Sequence, residues 1–338
     1  MFGMEMLTAN IDEAVPESQV RALRKGFLGE NEYSMLKQVA SINEFKIVLE
    51  DTDYGSDIFA NQIENDFDVQ ALRLAMKERL MDEIQYLISQ SSYPLNGFLT
   101  MILHRYQIDN VVLIIEGLKP RPDGKPNLSI EELMRLADPL GKFPELKNVQ
   151  PVDGEDYASL YQQVLVDLPV GVYFRKFLNE VTAGASQDEA VVIDSKYISE
   201  AMQDYTLLQV QLRVRKIWLQ EFYKFCRTEL GETSSRIMED LLKFESDLQT
   251  IQIIENSRLY SGLVDARGDS ERKKYISKVG YLYPERFEAI NAATDFKGLV
   301  AALESTEYHP MLLKVSNADQ ENESQSTGKT IGKWFRLI

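Results

Sequence analysis

Residues Glu200–Leu230 read EAMQDYTLLQVQLRVRKIWLQEFYKFCRTEL. Leu208, Leu212, Leu219, Phe222 and Cys226 recur at intervals of three, four and seven, which lays them along one face of an α-helix. Gly231 follows and is expected to act as a C-cap. The same period governs Val69–Gln90, where Leu72, Met76, Leu80, Ile84 and Leu87 form one stripe. Ser129, with Glu132 three residues on, predicts a capping box that opens a helix through Ala137. The run Val111–Ile115 suits either a strand or a buried helix. Helical patterns flank it on both sides, so it is read as buried helix. No stretch alternates convincingly, and the expected fold class is all-α.

Punctuation is sparse. Lys119–Asn127 holds three prolines and a glycine and predicts a loop. Thr182–Asp188 is small and polar, a second surface loop. Asn317–Lys329 is polar and poor in hydrophobic residues, the composition of a disordered segment. The apolar Trp334–Ile338 beyond it is too short for an independent helix. The expected organisation is one helical domain over 1–315 and a polar tail over 316–338. A weak repeat pairs Ala40–Lys46 and Thr52-Asp53-Tyr54 with Ala292–Lys297 and Thr306-Glu307-Tyr308. An eroded middle copy falls around Asp156–Pro169. Similar helical bundles would produce such a repeat; so would chance in a helix-rich chain.

Composition excludes several classes of function. The chain has 338 residues and a formal net charge of -16. Nucleic acid and anionic lipid surfaces attract clustered lysine and arginine, so neither suits this balance. The single cysteine, Cys226, permits no intramolecular disulfide. Neither His104 nor His309 has a cysteine cluster nearby, which disfavours structural zinc. The longest apolar run has five residues, Val111–Ile115, against the roughly twenty of a spanning helix. With no signal-like N-terminus, any membrane role is expected to be peripheral, from the cytoplasmic side.

Candidate chemistry is thin. Ser326–Thr330 resembles the end of a phosphate-binding loop, but Glu323 stands where its first glycine belongs. Asp51 with Asp53, and Asp265 with Asp269, could bind a hard cation; no calcium-loop spacing is present, and solvated surface is the favoured reading. His104 and Asp109 could form an acid–base pair, yet a spacing of five takes them off a common helical face. A structural histidine is the better reading. The Asn127 and Asn322 sequons lack a secretory context. Phe222–Phe225 and Tyr281–Pro284 are aromatic clusters that suit core packing more often than an interface. No catalytic, cofactor-binding or metal-ligating residue is assigned, and no cofactor is expected.

Several segments together resemble the V-type proton ATPase subunit d family, similar in turn to the C-type subunits of the archaeal and bacterial A-type enzymes. They are Thr52–Gly55 with Phe59-Ala60-Asn61, Tyr106–Val111, Pro139–Phe143, and Leu160-Tyr161 leading into Leu165–Pro169. Phe222–Cys226, Phe244–Asp247 and Leu282-Tyr283-Pro284 complete the series. Their order and spacing extend over about residues 10–315. The resemblance implies a funnel of helices in three similar bundles about a pseudo-threefold axis. It implies a non-catalytic coupling role, with the proteolipid ring and the central-stalk subunits as partners. Nucleic acid and small-molecule substrates are not implied, and membrane contact comes only through the complex. The location implied is the cytoplasmic face of an acidified endomembrane, vacuolar, lysosomal or other. Two departures from the pattern are a lengthened region around Thr182–Gln203 and the absence, past Lys314, of the family's closing helical segment. The residues also leave open a helical adaptor or scaffold unrelated to a pump.

Overall fold

Helix follows helix through the residues that the computed structural model describes: 14–55, 69–118, 128–149, 168–182, 205–259, 269–293 and 296–314. Among the described residues no strand occurs, and the all-α expectation holds. The chain divides into two compact units, Met1–Asp204 and Tyr205–Ile338.

The first unit contains α1 (Ala14–Lys25), α2 (Glu30–Leu36), α3 (Ile42–Glu50), α4 (Val69–Gln90), α5 (Leu95–Leu118) and α6 (Ile130–Leu136). Two 3-10 turns follow at Pro139–Gly141 and Pro144–Asn148, and then α7 (Gly171–Thr182). The capping box is present as expected: Ser129 Oγ accepts from the Glu132 amide, and Glu132 accepts from the Ser129 amide at 2.8 Å. Ser41 caps α3 in the same way through the Glu44 amide. Each such cap contributes about 1 kcal/mol.

α5 is the central helix of this unit and packs against α4, α6 and the Pro139–Gly141 turn. It buries Leu103, Ile108, Val111, Val112, Ile114, Ile115 and Leu118. The ambiguous run Val111–Ile115 is thus buried helix. One expectation needs correction: α5 is long and apolar enough, by length and composition, to cross a bilayer. Counting uninterrupted apolar residues missed it because His104, Arg105, Gln107, Asp109 and Asn110 break the run, while the aliphatic residues on either side keep the helix apolar as a whole. The helix serves as a packed core element. The α4 stripe also turns by one position. Leu72 and Met76 pack on buried Leu49 and Ile84 on Met81, but Leu80 stays 43% exposed while Met81 goes inward.

The second unit contains α8 (Leu207–Glu229), α9 (Glu232–Leu259), α10 (Asp269–Tyr275), α11 (Phe287–Asn291) and α12 (Phe296–Ala302). Residues 309–314 are again helical. Thr206 and Gln209 form a capping box, so α8 starts at Leu207. That start leaves Leu208 43% exposed on the first turn. The buried face carries Val210, Val214, Ile217, Trp218, Leu219, Phe222 and Cys226. The sequence stripe therefore holds for Leu219, Phe222 and Cys226, holds for half-buried Leu212, which packs on the core of this unit, and fails for Leu208. Gly231 is no C-cap. Leu230 ends α8 in an extended conformation, and the Gly231 carbonyl accepts from the Ser235 amide at 2.8 Å, opening α9. A two-residue link then lets α8 pack on α9. A larger core joins Ile251, Ile254, Tyr275, Leu282, Ile290, Leu299, Leu303 and Leu312.

Two turns that the sequence pairs, at Thr52-Asp53-Tyr54 and Thr306-Glu307-Tyr308, are built alike. Leu49-Glu50-Asp51-Thr52-Asp53-Tyr54 and Leu303-Glu304-Ser305-Thr306-Glu307-Tyr308 both end a helix. In the first, the Thr52 amide and hydroxyl both donate to the Leu49 carbonyl, at 2.9 and 2.6 Å. In the second, Thr306 does the same to Leu303, at 2.9 and 2.7 Å. Both leucines are fully buried. A threonine hydroxyl that closes the turn three residues back competes with helix continuation and stops it. Residues 156–167, most of the expected middle copy, lie outside the described residues, as do 119–127, 183–188 and 315–338.

Candidate functional site

Among the described residues, two pairs of the segments that carried the family resemblance meet: Tyr106–Val111 with Pro139–Phe143 in the first unit, and Phe244–Asp247 with Leu282-Tyr283-Pro284 in the second. In the first unit, Asn110 on α5 is the connection. Its Nδ2 donates to the Asp138 carbonyl at 2.8 Å, and its Oδ1 accepts from the Asp138 amide at 2.8 Å. The side-chain amide thus supplies the partner that the backbone of this loop residue needs. The Asp138 carboxylate caps the Pro139–Gly141 turn through the Leu140 amide at 3.1 Å and pairs with Lys77 of α4. Gly141 completes the junction. A Cβ there would lie 2.2 Å from the Tyr106 carbonyl oxygen, closer than real contacts permit.

In the second unit the connection is Asp247 of α9. It is almost fully buried. It accepts from the Tyr281 amide at 2.9 Å, the Leu282 amide at 3.1 Å and the Tyr308 hydroxyl at 2.8 Å. Burial raises its pKa above the ordinary carboxylate value, and the three donors oppose that rise. Burial, reinforced by the carboxylate, pushes the Tyr308 hydroxyl well up. At Gly280 a Cβ would meet Asp247 Oδ1 at 1.9 Å, so the chain approaches the carboxylate as closely as only glycine allows. One buried carboxylate thus ties α9 to the loop before α11 and to the second Thr-acidic-Tyr turn.

These are joints, and their chemistry is that of fixed geometry. His104 does not pair with Asp109. Its Nδ1 lies 2.7 Å from the Tyr173 hydroxyl of α7, with the rings edge to face at 5.5 Å. Burial lowers its pKa to about 4, so the ring is neutral near pH 7. Its stability contribution has a definite sign. The folded pKa lies below the unfolded one, so the contribution is complete above about pH 6.5 and is lost as pH falls towards 4. The expected loss across that window is at most about 3 kcal/mol. His104→Gln is expected to flatten the pH dependence of urea unfolding between pH 7 and 4.5; an unchanged slope would place the proton uptake on other groups.

Cys226 is buried, and burial pushes its thiol up to about 11. A protonated thiol is a poor nucleophile. Asp51 and Asp53 are both exposed at the end of α3. Among the described residues no group of three or more His, Cys, Asp or Glu is placed to hold a metal ion. Asp265, Asn127, Asn322 and Ser326–Thr330 lie outside the described residues.

The aromatic clusters divide by position. Phe222 and Leu282 enter the core. Tyr223 donates to Glu239 at 2.8 Å, and Glu239 also pairs with Lys243 at 2.7 Å, a network joining α8 and α9. Tyr281 stays at the surface and donates to Asp240 at 2.5 Å; that bond pushes its hydroxyl up to about 12. An open groove of about 420 Å³ separates α1 from α4, lined by Leu23, Phe27, Tyr54, Met76, Arg79 and Glu83. Arg79 lies over the Tyr54 ring, 5.0 Å from its centroid. Sequence reasoning missed Asn110, Asp138 and Asp247 as connection points. Their signal was present: each is a polar residue at or beside an apolar stripe and inside a resemblance-bearing segment or next to one.

The family model described as ATP synthase (C/AC39) subunit matches residues 16–336. The chain belongs to this family. Among curated proteins it is 29% identical over 322 residues to the probable V-type proton ATPase subunit d of Oryza sativa subsp. japonica, covering 95% of this chain and 82% of that one. It is 29% identical over 317 residues to the V-type proton ATPase subunit d of Saccharomyces cerevisiae, covering 94% and 83%. A more distant relative is the C-type subunit of the A-type ATP synthase of Pyrococcus abyssi, 19% identical over 325 residues, covering 95% and 75%. Both joints, Asn110–Asp138 and Asp247–Tyr308, fall inside the C/AC39 match. The match also runs through 315–336, which the polar-tail reading had set apart.

Proposed function

We propose that this chain is a non-catalytic subunit of a V-type proton ATPase and links the central stalk to the proteolipid ring. It works on the cytoplasmic face of an acidified endomembrane, held there by its protein partners. The observation that carries this reading is the similarity to V-type subunit d proteins along 94–95% of the chain. Torque transmission asks for stiffness. Side chains that bridge elements through two or three hydrogen bonds each, as Asn110 and Asp247 do, resist relative motion better than apolar contacts alone, because hydrogen bonds are directional. The net charge of -16 suits basic or neutral protein partners and steers the chain away from anionic lipid.

The test is assembly. Detergent-solubilised membranes from cells carrying a tagged chain are expected to yield it together with proteolipid and stalk subunits. Recovery only as a free soluble pool, under conditions that keep the holoenzyme intact, would exclude the coupling role and favour a helical adaptor.

A further inference from the structure

The second unit leaves an apolar stripe on the surface of α9. Ile237, Leu241 and Phe244 stand at spacings of four and three and are 55%, 54% and 39% exposed. They lie on one face of the helix, about 10 Å long. Tyr281, also exposed, borders the stripe through its bond to Asp240. Two acidic residues lie at its edge. Asp240 is exposed on α9, and exposed Glu307 precedes Tyr308, whose ring stacks on Phe244 at 5.7 Å. Of the nearby cations, Lys243 is engaged by Glu239, and exposed Arg236 stands beside Ile237, at the far end of the stripe from Phe244.

The same unit includes a segment of opposite character. Lys329–Ile338 reads KTIGKWFRLI, with three basic residues, no acidic one and the apolar Ile331, Trp334, Phe335, Leu337 and Ile338. In so acidic a chain this is a conspicuous basic stretch. The described residues end at Lys314. Six helical residues separate it from Tyr308, about 9 Å. The tail therefore departs within ~15 Å of Phe244, and residues 315–333 reach ~60 Å when extended. Tethering at that range gives an effective concentration of order millimolar, so a weak contact suffices.

We propose that Lys329–Ile338 docks in cis on the Ile237–Leu241–Phe244 stripe, with Trp334 and Phe335 on the apolar residues and Lys333 and Arg336 towards Asp240 and Glu307. The contact covers an apolar patch that would otherwise invite association. It weakens with salt, because its flanking charges are exposed.

The chain has two tryptophans, Trp218 and Trp334. In Trp218→Phe, only Trp334 reports. Its emission is expected to be blue-shifted and severalfold less quenched by acrylamide than that of a free peptide of residues 329–338. Adding Ile237→Asp and Leu241→Asp, both at exposed positions, is expected to return it to the free value. Trp218 is 4% exposed and its replacement risks the fold, so a second measurement keeps Trp218. In the chain carrying Leu241→Cys and Phe335→Cys, mild oxidation is expected to close an intramolecular disulfide faster than in the pair Arg236→Cys with Phe335→Cys. A free-like Trp334, a shielded Trp334 indifferent to the stripe substitutions, equal rates for the two pairs, or a disulfide between two copies would each overturn cis docking. None of these results depends on assembly into a proton pump.

Discussion

Replacing Asp247 by alanine is expected to lower the stability of the second unit by about 3–5 kcal/mol. The cause is what the carboxylate leaves behind. The Tyr281 and Leu282 amides and the Tyr308 hydroxyl all lose their acceptor at once, inside or at the edge of the core. A buried donor without a partner costs about 1–3 kcal/mol. Asp247→Asn keeps one carbonyl oxygen but turns an NH2 group towards donors, and is expected to cost less than alanine. Urea unfolding followed by Trp218 fluorescence in a Trp334→Phe background reads this unit directly, since Trp218 is buried on α8. A loss below about 1 kcal/mol for the alanine variant would mean that water enters and replaces the carboxylate.

The second large effect is expected at Asn110. Asn110→Ala removes both hydrogen bonds to the Asp138 backbone and leaves a small cavity beside Gly141. Two orphaned backbone groups put the expected loss at about 2–4 kcal/mol. Asn110→Asp separates the two bonds: it still accepts from the Asp138 amide but faces the Asp138 carbonyl with an oxygen, so it is expected to restore little. Far-UV circular dichroism during urea unfolding, compared with the effect of a surface alanine substitution on α4, measures the difference. If the aspartate variant recovered most of the stability, the donated bond to the carbonyl would be the dispensable one.

Both variants also test the proposed coupling role. A joint that only stabilises would leave the assembled complex unaffected once folded. A joint that transmits torque would lower proton pumping per ATP hydrolysed before it lowers assembly. Pumping and hydrolysis measured on the same membranes therefore distinguish the two roles.

The legibility of these features differs by residue type. The capping boxes at Ser129 and Thr206 are local, three residues wide, and their residues are sufficient to specify them. The helical stripes were legible at Leu212, Leu219, Phe222 and Cys226 and at Leu72, Met76, Ile84 and Leu87, and failed at Leu208 and Leu80. Leu208 and Leu80 are exposed because which side of a helix is covered depends on neighbours absent from the local sequence. Gly231 was misread for a related reason: a glycine between two helices serves the end of one or the start of the other, and the hydrogen bond to Ser235 decides. Asn110 and Asp247 looked like ordinary polar residues. Their partners lie 28 and 34 to 61 residues away, beyond the reach of any periodicity.

By itself, then, the sequence determined the helical class, the capped start of α6, the buried run Val111–Ile115 and the ordered segments that mark the C/AC39 family. Those properties arise from contacts between near neighbours along the chain, or from residue types in order. Only the tertiary structure decided that α5, apolar and long enough for a bilayer, lies within a helical core, and that Asn110 and Asp247 are the connections between elements. It also decided that Ile237, Leu241 and Phe244 face outward. Burial is a property of what surrounds a residue, and the chain has to fold before that surrounding exists.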